Sequence, residues 1–268
     1  MPELIPVFKT HGSLGKSILT AEDERDKKGI VLSAVKENSP VSIFTLAQQY
    51  NLDKLVVCDD SFLNFPTLYK TSNKRKIQLV FGVNLTICNN VTEKNDDGLL
   101  SNCKVSVYMK NSKAYQDLLK LHNAINAEKE NFYYTPRGDW KILQKYWTNN
   151  LKLVIGPYNS FLERNLLDNG NCVPEFGKIK PLFMFSKMEL PFDEILINKI
   201  QEFSKSNNFE CMECHPIYYY KNSHFKFYQN LRCISNRAKF NAPDIDYLCS
   251  DRFSFESYLN KKKMYDWK

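Results

Sequence analysis

Histidine is scarce in this chain: four in 268 residues, at positions 11, 122, 215 and 224. With so few, a full histidine-rich catalytic cluster is hard to assemble. No run of about 18 apolar residues exists, so no membrane-spanning helix and no membrane partner are expected. The opening Met1-Pro2-Glu3-Leu4-Ile5-Pro6 lacks the basic-then-apolar layout of a signal peptide, and a cytoplasmic site is the expectation. Internal repeats, long linkers, low-complexity tracts and a Gly-x-Ser-x-Gly nucleophile elbow are also missing. Gly12-Ser13-Leu14-Gly15-Lys16-Ser17 has the tail of a P-loop without its first glycine, whose place is taken by Thr10. Too few backbone N–H groups are then free to wrap phosphates. Residues 18–28 are also too charged and irregular for the helix such a loop feeds, so ATP or GTP binding is not expected.

What is present reads as an ordinary globular composition, 43% hydrophobic and 25% charged, unusually rich in Phe and Tyr. A chain of this length can bury a substantial core. The net charge of +7 is compatible with nucleic-acid contact, but Lys74-Arg75-Lys76 and Lys261-Lys262-Lys263 read first as solvated surface. The eight cysteines mostly sit singly in apolar runs, the pattern of reduced, partly buried thiols. Cys211-Met212-Glu213-Cys214-His215 matches a short haem-attachment or half-zinc pattern, but it has no distal partner and reads as a strand end.

Apolar runs at 5–9, 55–58, 77–81, 105–109, 151–155, 182–185 and 209–212 predict seven strands. Helical signals lie between them. Ser39-Pro40 supplies a cap and a first-turn proline ahead of Ile43, Phe44, Leu46 and Ala47. Ile195, Leu196, Ile200 and Phe203 keep helical spacing behind Asp193-Glu194, as do Phe225, Tyr228 and Leu231. Residues 89–102, rich in Asn, Asp and Gly, read as a surface loop. Strands alternating with helices imply parallel βαβ units, as an open sheet or a closed barrel, in one domain over residues 1–268. Periodicity alone does not choose between the two.

The most informative stretch is Met109 to Leu121, Met-Lys-Asn-Ser-Lys-Ala-Tyr-Gln-Asp-Leu-Leu-Lys-Leu, in which Tyr115, Leu118 and Leu119 are spaced to face a core. Phe132-Tyr133-Tyr134-Thr135-Pro136-Arg137-Gly138-Asp139-Trp140 follows. Together these resemble the PHP (polymerase and histidinol phosphatase) domain at the amino terminus of the bacterial DNA polymerase III alpha subunit. The likeness extends from His11 to about Tyr258, with ungapped blocks at 54–63, 69–87, 109–121 and 132–146. It implies a distorted seven-stranded β/α barrel, a stand-alone bacterial or bacteriophage protein, and a metal-dependent phosphoesterase scaffold.

The family's metal motifs fall on positions that keep few ligands. The first, anchored on Ser17-Ile18-Leu19, places its two histidines at His11 and Ser13. The second falls on Cys58-Asp59-Asp60, keeping the aspartate at Asp59 and replacing the histidine by Asp60. The bridging glutamate of the third is Asn84. The fourth, counted back from Leu231-Arg232-Cys233-Ile234, puts its aspartate on Pro216 and its histidine on Tyr218; a shifted register would use His215. His11, Asp59, Asn84 and Pro216 each follow the end of a predicted strand, the face on which β/α barrels keep their chemistry. Metal clusters of this kind work because imidazoles and carboxylates together hold several divalent ions and an activated water. The expectation is no cofactor, or at most one weakly held divalent ion on His11, Asp59 and Asp60. His122 reads as a core or groove histidine and His224 as exposed.

The resemblance therefore implies a catalytically inactive docking module of DNA replication. Its expected partner is a protein, a replication polymerase or exonuclease, with only weak, salt-sensitive nucleic-acid contact. The rivals are a metal-dependent phosphoesterase or 3′–5′ exonuclease with altered ligands, and recruitment to an unrelated phage structural or host-directed role. The aromatic stretches Phe132-Tyr133-Tyr134 and Tyr218-Tyr219-Tyr220 are candidate interface residues, although rings of this kind more often fill a core.

Overall fold

Every apolar run expected to be a strand forms one in the computed structural model of the chain, which describes residues 4–10, 24–25, 31–33, 42–236 and 250–266. The elements run β1 (Ile5–Phe8), β2 (Glu24–Arg25), β3 (Val31–Ser33), α1 (Ile43–Gln49), β4 (Lys54–Asp59), α2 (Phe65–Arg75) and β5 (Gln78–Cys88). Then come α3 (Asp96–Leu100), β6 (Cys103–Met109), α4 (Ala114–Asn126), β7 (Phe132–Tyr133), β8 (Thr135–Pro136) and β9 (Gly138–Asp139). The chain continues with α5 (Trp140–Lys145), β10 (Leu151–Ile155), α6 (Phe161–Leu167), β11 (Leu182–Phe185), α7 (Asp193–Ser206), β12 (Glu210–Ile217), α8 (Phe225–Asn236) and α9 (Phe255–Asp266). This is a mixed α/β protein. Its residues group into two compact units: Val80–Lys187 with Pro191–Cys214, and the described parts of Leu4–Leu79, Met188–Leu190 and His215–Lys268.

In the first unit the strand order is β12-β11-β10-β6-β5-β9. Strands β10, β11 and β12 run parallel, with Val154 opposite Leu182 and Phe183 opposite Cys211. Strand β6 departs from the expected parallel pattern, pairing antiparallel with both β5 and β10. The link from β5 explains the reversal on that side. Strand β5 has 11 residues and spans about 36 Å, while the five-residue α3 spans about 8 Å. A helix that short cannot return the chain to the start of β5, so β6 folds straight back. The expected loop at 89–102 thus contains a helix, capped by Asn95, whose side chain accepts from Gly98 N.

Gly82 sits opposite Tyr108 in this ladder, and a Cβ there would lie 2.6 Å from the tyrosine ring. Glycine is needed because the ring lies across the backbone. The buried stripe of α4 is Ala114, Leu118, Leu121 and Ile125, so Tyr115 and Leu119 flank the core instead of centring it. A ring cluster fills the space beneath β11 and α7: Phe161–Phe203 at 5.3 Å, Phe183–Phe203 at 5.5 Å, Trp140–Phe176 at 5.2 Å and Phe176–Phe209 at 5.6 Å. Each such pair adds about 0.5–1.5 kcal/mol beyond its buried area.

In the second unit β1 pairs in parallel with β4, Val7 opposite Val56 and Phe8 opposite Val57. On its other side Lys9 N donates to Ile217 O at 3.1 Å, at the end of β12. Helix α1 buries Ile43, Phe44, Leu46 and Ala47, as its spacing predicts, but its cap is Ser42, whose hydroxyl accepts from Phe44 N at 3.2 Å. Ser39 and Pro40 lie outside the described residues. Phe253 and Phe255 are fully buried, and Phe255 contacts Phe8 and Tyr50.

Candidate functional site

Parallel pairing brings the carboxyl ends of β1 and β4 side by side, and Lys9, Asp59 and Asp60 meet there. Asp59 closes β4, and Lys9 and Thr10 directly follow β1. Asp59 is 5% exposed. Its Oδ1 accepts from Thr10 N at 2.9 Å, and its Oδ2 accepts from the Thr10 hydroxyl. That hydroxyl in turn accepts from the Asn64 side-chain amide. Burial pushes the Asp59 carboxyl up from its ordinary range, against the opposing pull of the Thr10 hydrogen bonds and the Lys9 charge.

Asp60 faces Lys9, whose Nζ donates to Oδ2 at 2.6 Å. Burial alone would lower the pKa of Lys9; the charge and hydrogen bond of Asp60 outweigh it, and the value ends raised. Tyr218 and Tyr228 stack at 5.2 Å near this pair. Both phenols are pushed up, chiefly by burial, so they stay protonated at neutral pH. Arg232 adds a second positive charge that Lys9 and both tyrosines sense.

The predicted ligand positions fare unevenly. Asp59 and Asp60 are adjacent at the strand end as expected, while His11 and Ser13 lie outside the described residues. Asn84 does not follow a strand end: it lies inside β5 in the first unit, paired with Ser106, whose hydroxyl donates to its Oδ1 at 2.7 Å. Pro216 likewise lies within β12 and brings no polar side-chain atom. His215, the alternative ligand, is buried, with Nε2 at 3.0 Å from Arg252 O and 3.2 Å from Ser254 O. Two carbonyls require a hydrogen on Nε2, so that nitrogen has no lone pair for a metal. Cys211 and Cys214 alternate to opposite faces of β12, which rules out convergence of the Cys-x-x-Cys-His stretch on one ion. His224 is half-buried, not exposed, with its pKa lowered by burial and by Lys221. His122 is half-buried on α4 and its pKa is lowered by burial.

Among the described residues no group of three or more His, Cys, Asp or Glu side chains converges as a metal site. Among the described residues the donor set is two carboxylates, one held by an ammonium and the other by a threonine, and by themselves these do not make up a several-ion centre. The residues that sequence reading missed are Lys9, Thr10, Asn64 and Arg232. Their one legible signal was a lysine closing the otherwise apolar strand 5–9. No helix among the described residues is long and apolar enough to cross a membrane.

Comparison with curated proteins finds no match. Comparison with protein families finds the PHP domain over residues 35–213, about two thirds of the chain. The matched segment ends at β12 and includes Asp59, Asp60, the Gly82 strand, α4 and the Arg137–Trp140 stretch. The chain therefore belongs to the PHP domain family.

Proposed function

We propose that this chain is a PHP-family protein whose metal centre has lapsed and which acts by docking onto another protein of DNA replication. Family membership supports a phosphoesterase-like or polymerase-associated module. The choice between those two rests on one observation: the Lys9 ammonium lies 2.6 Å from Asp60. A divalent ion binding at Asp60 meets the repulsion of a tethered ammonium, and one binding at Asp59 competes with two hydrogen bonds from Thr10 for the carboxylate's charge. Both costs oppose the ion that phosphoester hydrolysis in this family needs. The family match runs through both compact units, which supports reading them as one distorted seven-stranded β/α barrel domain.

The partner in this reading is a replication polymerase or exonuclease of a bacterial or phage-infected cell. Exposed aromatics support a protein contact: Phe132 is 53% and Tyr134 75% exposed on the β7–β8 hairpin. Tyr219, in the other aromatic stretch, is fully buried and is not available. The test measures hydrolysis of single-stranded DNA and of a chromogenic phosphoester with Mn²⁺, Zn²⁺ or Mg²⁺. The expected result is no turnover above background and no change on His11→Ala or Asp59→Ala. Metal-dependent turnover abolished by those substitutions would establish the phosphoesterase instead. Pull-downs from the native host at low and high salt then test docking. A protein partner retained at high salt supports it, and DNA held tightly at high salt overturns it.

A further inference from the structure

The first unit holds a pair of thiols whose geometry differs from that of the other described cysteines. Cys103 opens β6, and Cys172 lies 69 positions later in the irregular segment that follows α6. Their sulfurs are 3.6 Å apart. Both side chains are buried, yet Cys172 is flanked by exposed Asn171 and Val173, one residue beneath the surface. Its backbone is pinned from both sides. Asn165 Oδ1 accepts from Cys172 N at 3.1 Å and Asn165 Nδ2 donates to Cys172 O at 2.8 Å. Next to it, Val173 N donates to Asn89 Oδ1 at 2.8 Å. These three hydrogen bonds around one loop residue hold its thiol against Cys103.

We propose that Cys103 and Cys172 form an oxidisable dithiol, with Cys172 as the attacking sulfur and Cys103 as the resolving one, which a peroxide closes to a disulfide. Access assigns the roles: Cys172 lies between exposed Asn171 and Val173, whereas Cys103 is paired within the β6 ladder opposite Ile87. The hydrogen bond between the two sulfurs acts in the same sense, lowering the pKa of Cys172 and raising that of Cys103, and the Arg164 guanidinium lies near the pair. The Cys172 thiolate attacks one oxygen of hydrogen peroxide, breaking the O–O bond to give a sulfenic acid and hydroxide. The Cys103 sulfur then attacks the sulfenic sulfur and expels its oxygen. The proton of Cys103 and the solvent proton released from Cys172 complete two waters. Two thiols lose two electrons, and one peroxide is reduced. Sulfurs already in contact need to close from 3.6 Å to about 2.05 Å. Cys88 is a built-in control: it lies in the same unit, but its thiol donates to Gly138 O at 3.3 Å.

The test uses the whole reduced protein, treated with hydrogen peroxide under native conditions, quenched, alkylated and mapped by mass spectrometry. The expected product is a Cys103–Cys172 linked peptide about 2 Da lighter than the two free thiol peptides together. Dithiothreitol should reverse it, Cys88 should stay alkylatable, and the urea midpoint should rise on oxidation and return on reduction. Cys172→Ser should abolish the cross-link, and Cys88→Ser should leave it intact. The wild-type map alone decides the case if a serine variant fails to fold. Cys172 found as sulfinic acid with Cys103 still alkylatable would overturn the proposal. So would both thiols staying free while the half-buried Cys211 is consumed.

Discussion

Replacing Arg137 with alanine should unfasten the segment that links β5 to β6. Arg137 is fully buried, in the single residue between β8 and β9. Its Nη1 donates to Gly98 O at 2.8 Å and to Asn102 Oδ1 at 3.3 Å, and its Nη2 donates to Glu93 O and, at 3.5 Å, to Val91 O. One planar fork thus satisfies acceptors along a stretch whose own helix, α3, has five residues. A hydrogen bond from a charged donor contributes about 1.5–3 kcal/mol net. Counting only the bonds to Gly98 O and Glu93 O, the expected loss is about 3–6 kcal/mol. Rehydration of the freed carbonyls favours the lower end. With a urea dependence of about 3 kcal/mol per M for a chain this size, a loss of about 3 kcal/mol lowers the midpoint by about 1 M. Arg137→Lys should recover only part of this, since an ammonium cannot bridge acceptors that a fork spans. Urea melts followed by circular dichroism measure the midpoint, and amide hydrogen exchange locates the effect in residues 91–102. A midpoint shift under about 0.3 M, or exchange unchanged in that segment, would refute the reasoning.

Lys9→Met should cost about 1 kcal/mol or less, because the Lys9–Asp60 pair is 22% and 46% exposed and solvent screens it. Freed of its ammonium, the site should bind Mn²⁺ measurably more tightly than wild type in calorimetric titration; equal affinity would remove Lys9 as the competing cation. The raised pKa of Lys9 means its stabilisation is fully present below about pH 10.5 and fades as pH rises through the folded value, so the two proteins should converge in strong alkali. Asp117 has its pKa lowered by hydrogen bonds from Asn150 and Thr148, so its contribution holds above about pH 4 and is lost as pH falls further. Asp117→Asn should flatten the acid limb of a stability–pH curve only slightly, since the carboxylate is half-buried and solvent screens its charge. Gly82→Ala should destabilise by about 1–3 kcal/mol through collision with the Tyr108 ring, and Gly82→Ala combined with Tyr108→Leu should restore most of it.

The chain's apolar runs marked where its strands fall, because a run of four to eight residues is short for a buried helix and fits a strand whose backbone pairs in a ladder and whose side chains enter a core. All seven runs became strands, and Ile43, Phe44, Leu46 and Ala47 faced inward as their spacing required. Family membership was equally legible, since motifs such as Arg137-Gly138-Asp139-Trp140 are contiguous. The direction of β6 was decided only in three dimensions, because it depends on how far the five-residue α3 can carry the chain, not on the pattern within the strand. Tertiary structure also decided the site. Lys9 meets Asp60 across 51 positions, and His215 gives its Nε2 hydrogen to carbonyls 37 and 39 positions away. A motif read along the chain registers which ligands are present. Only packing decides which neighbour occupies each oxygen and nitrogen, because burial obliges every polar atom to find a partner wherever the fold supplies one.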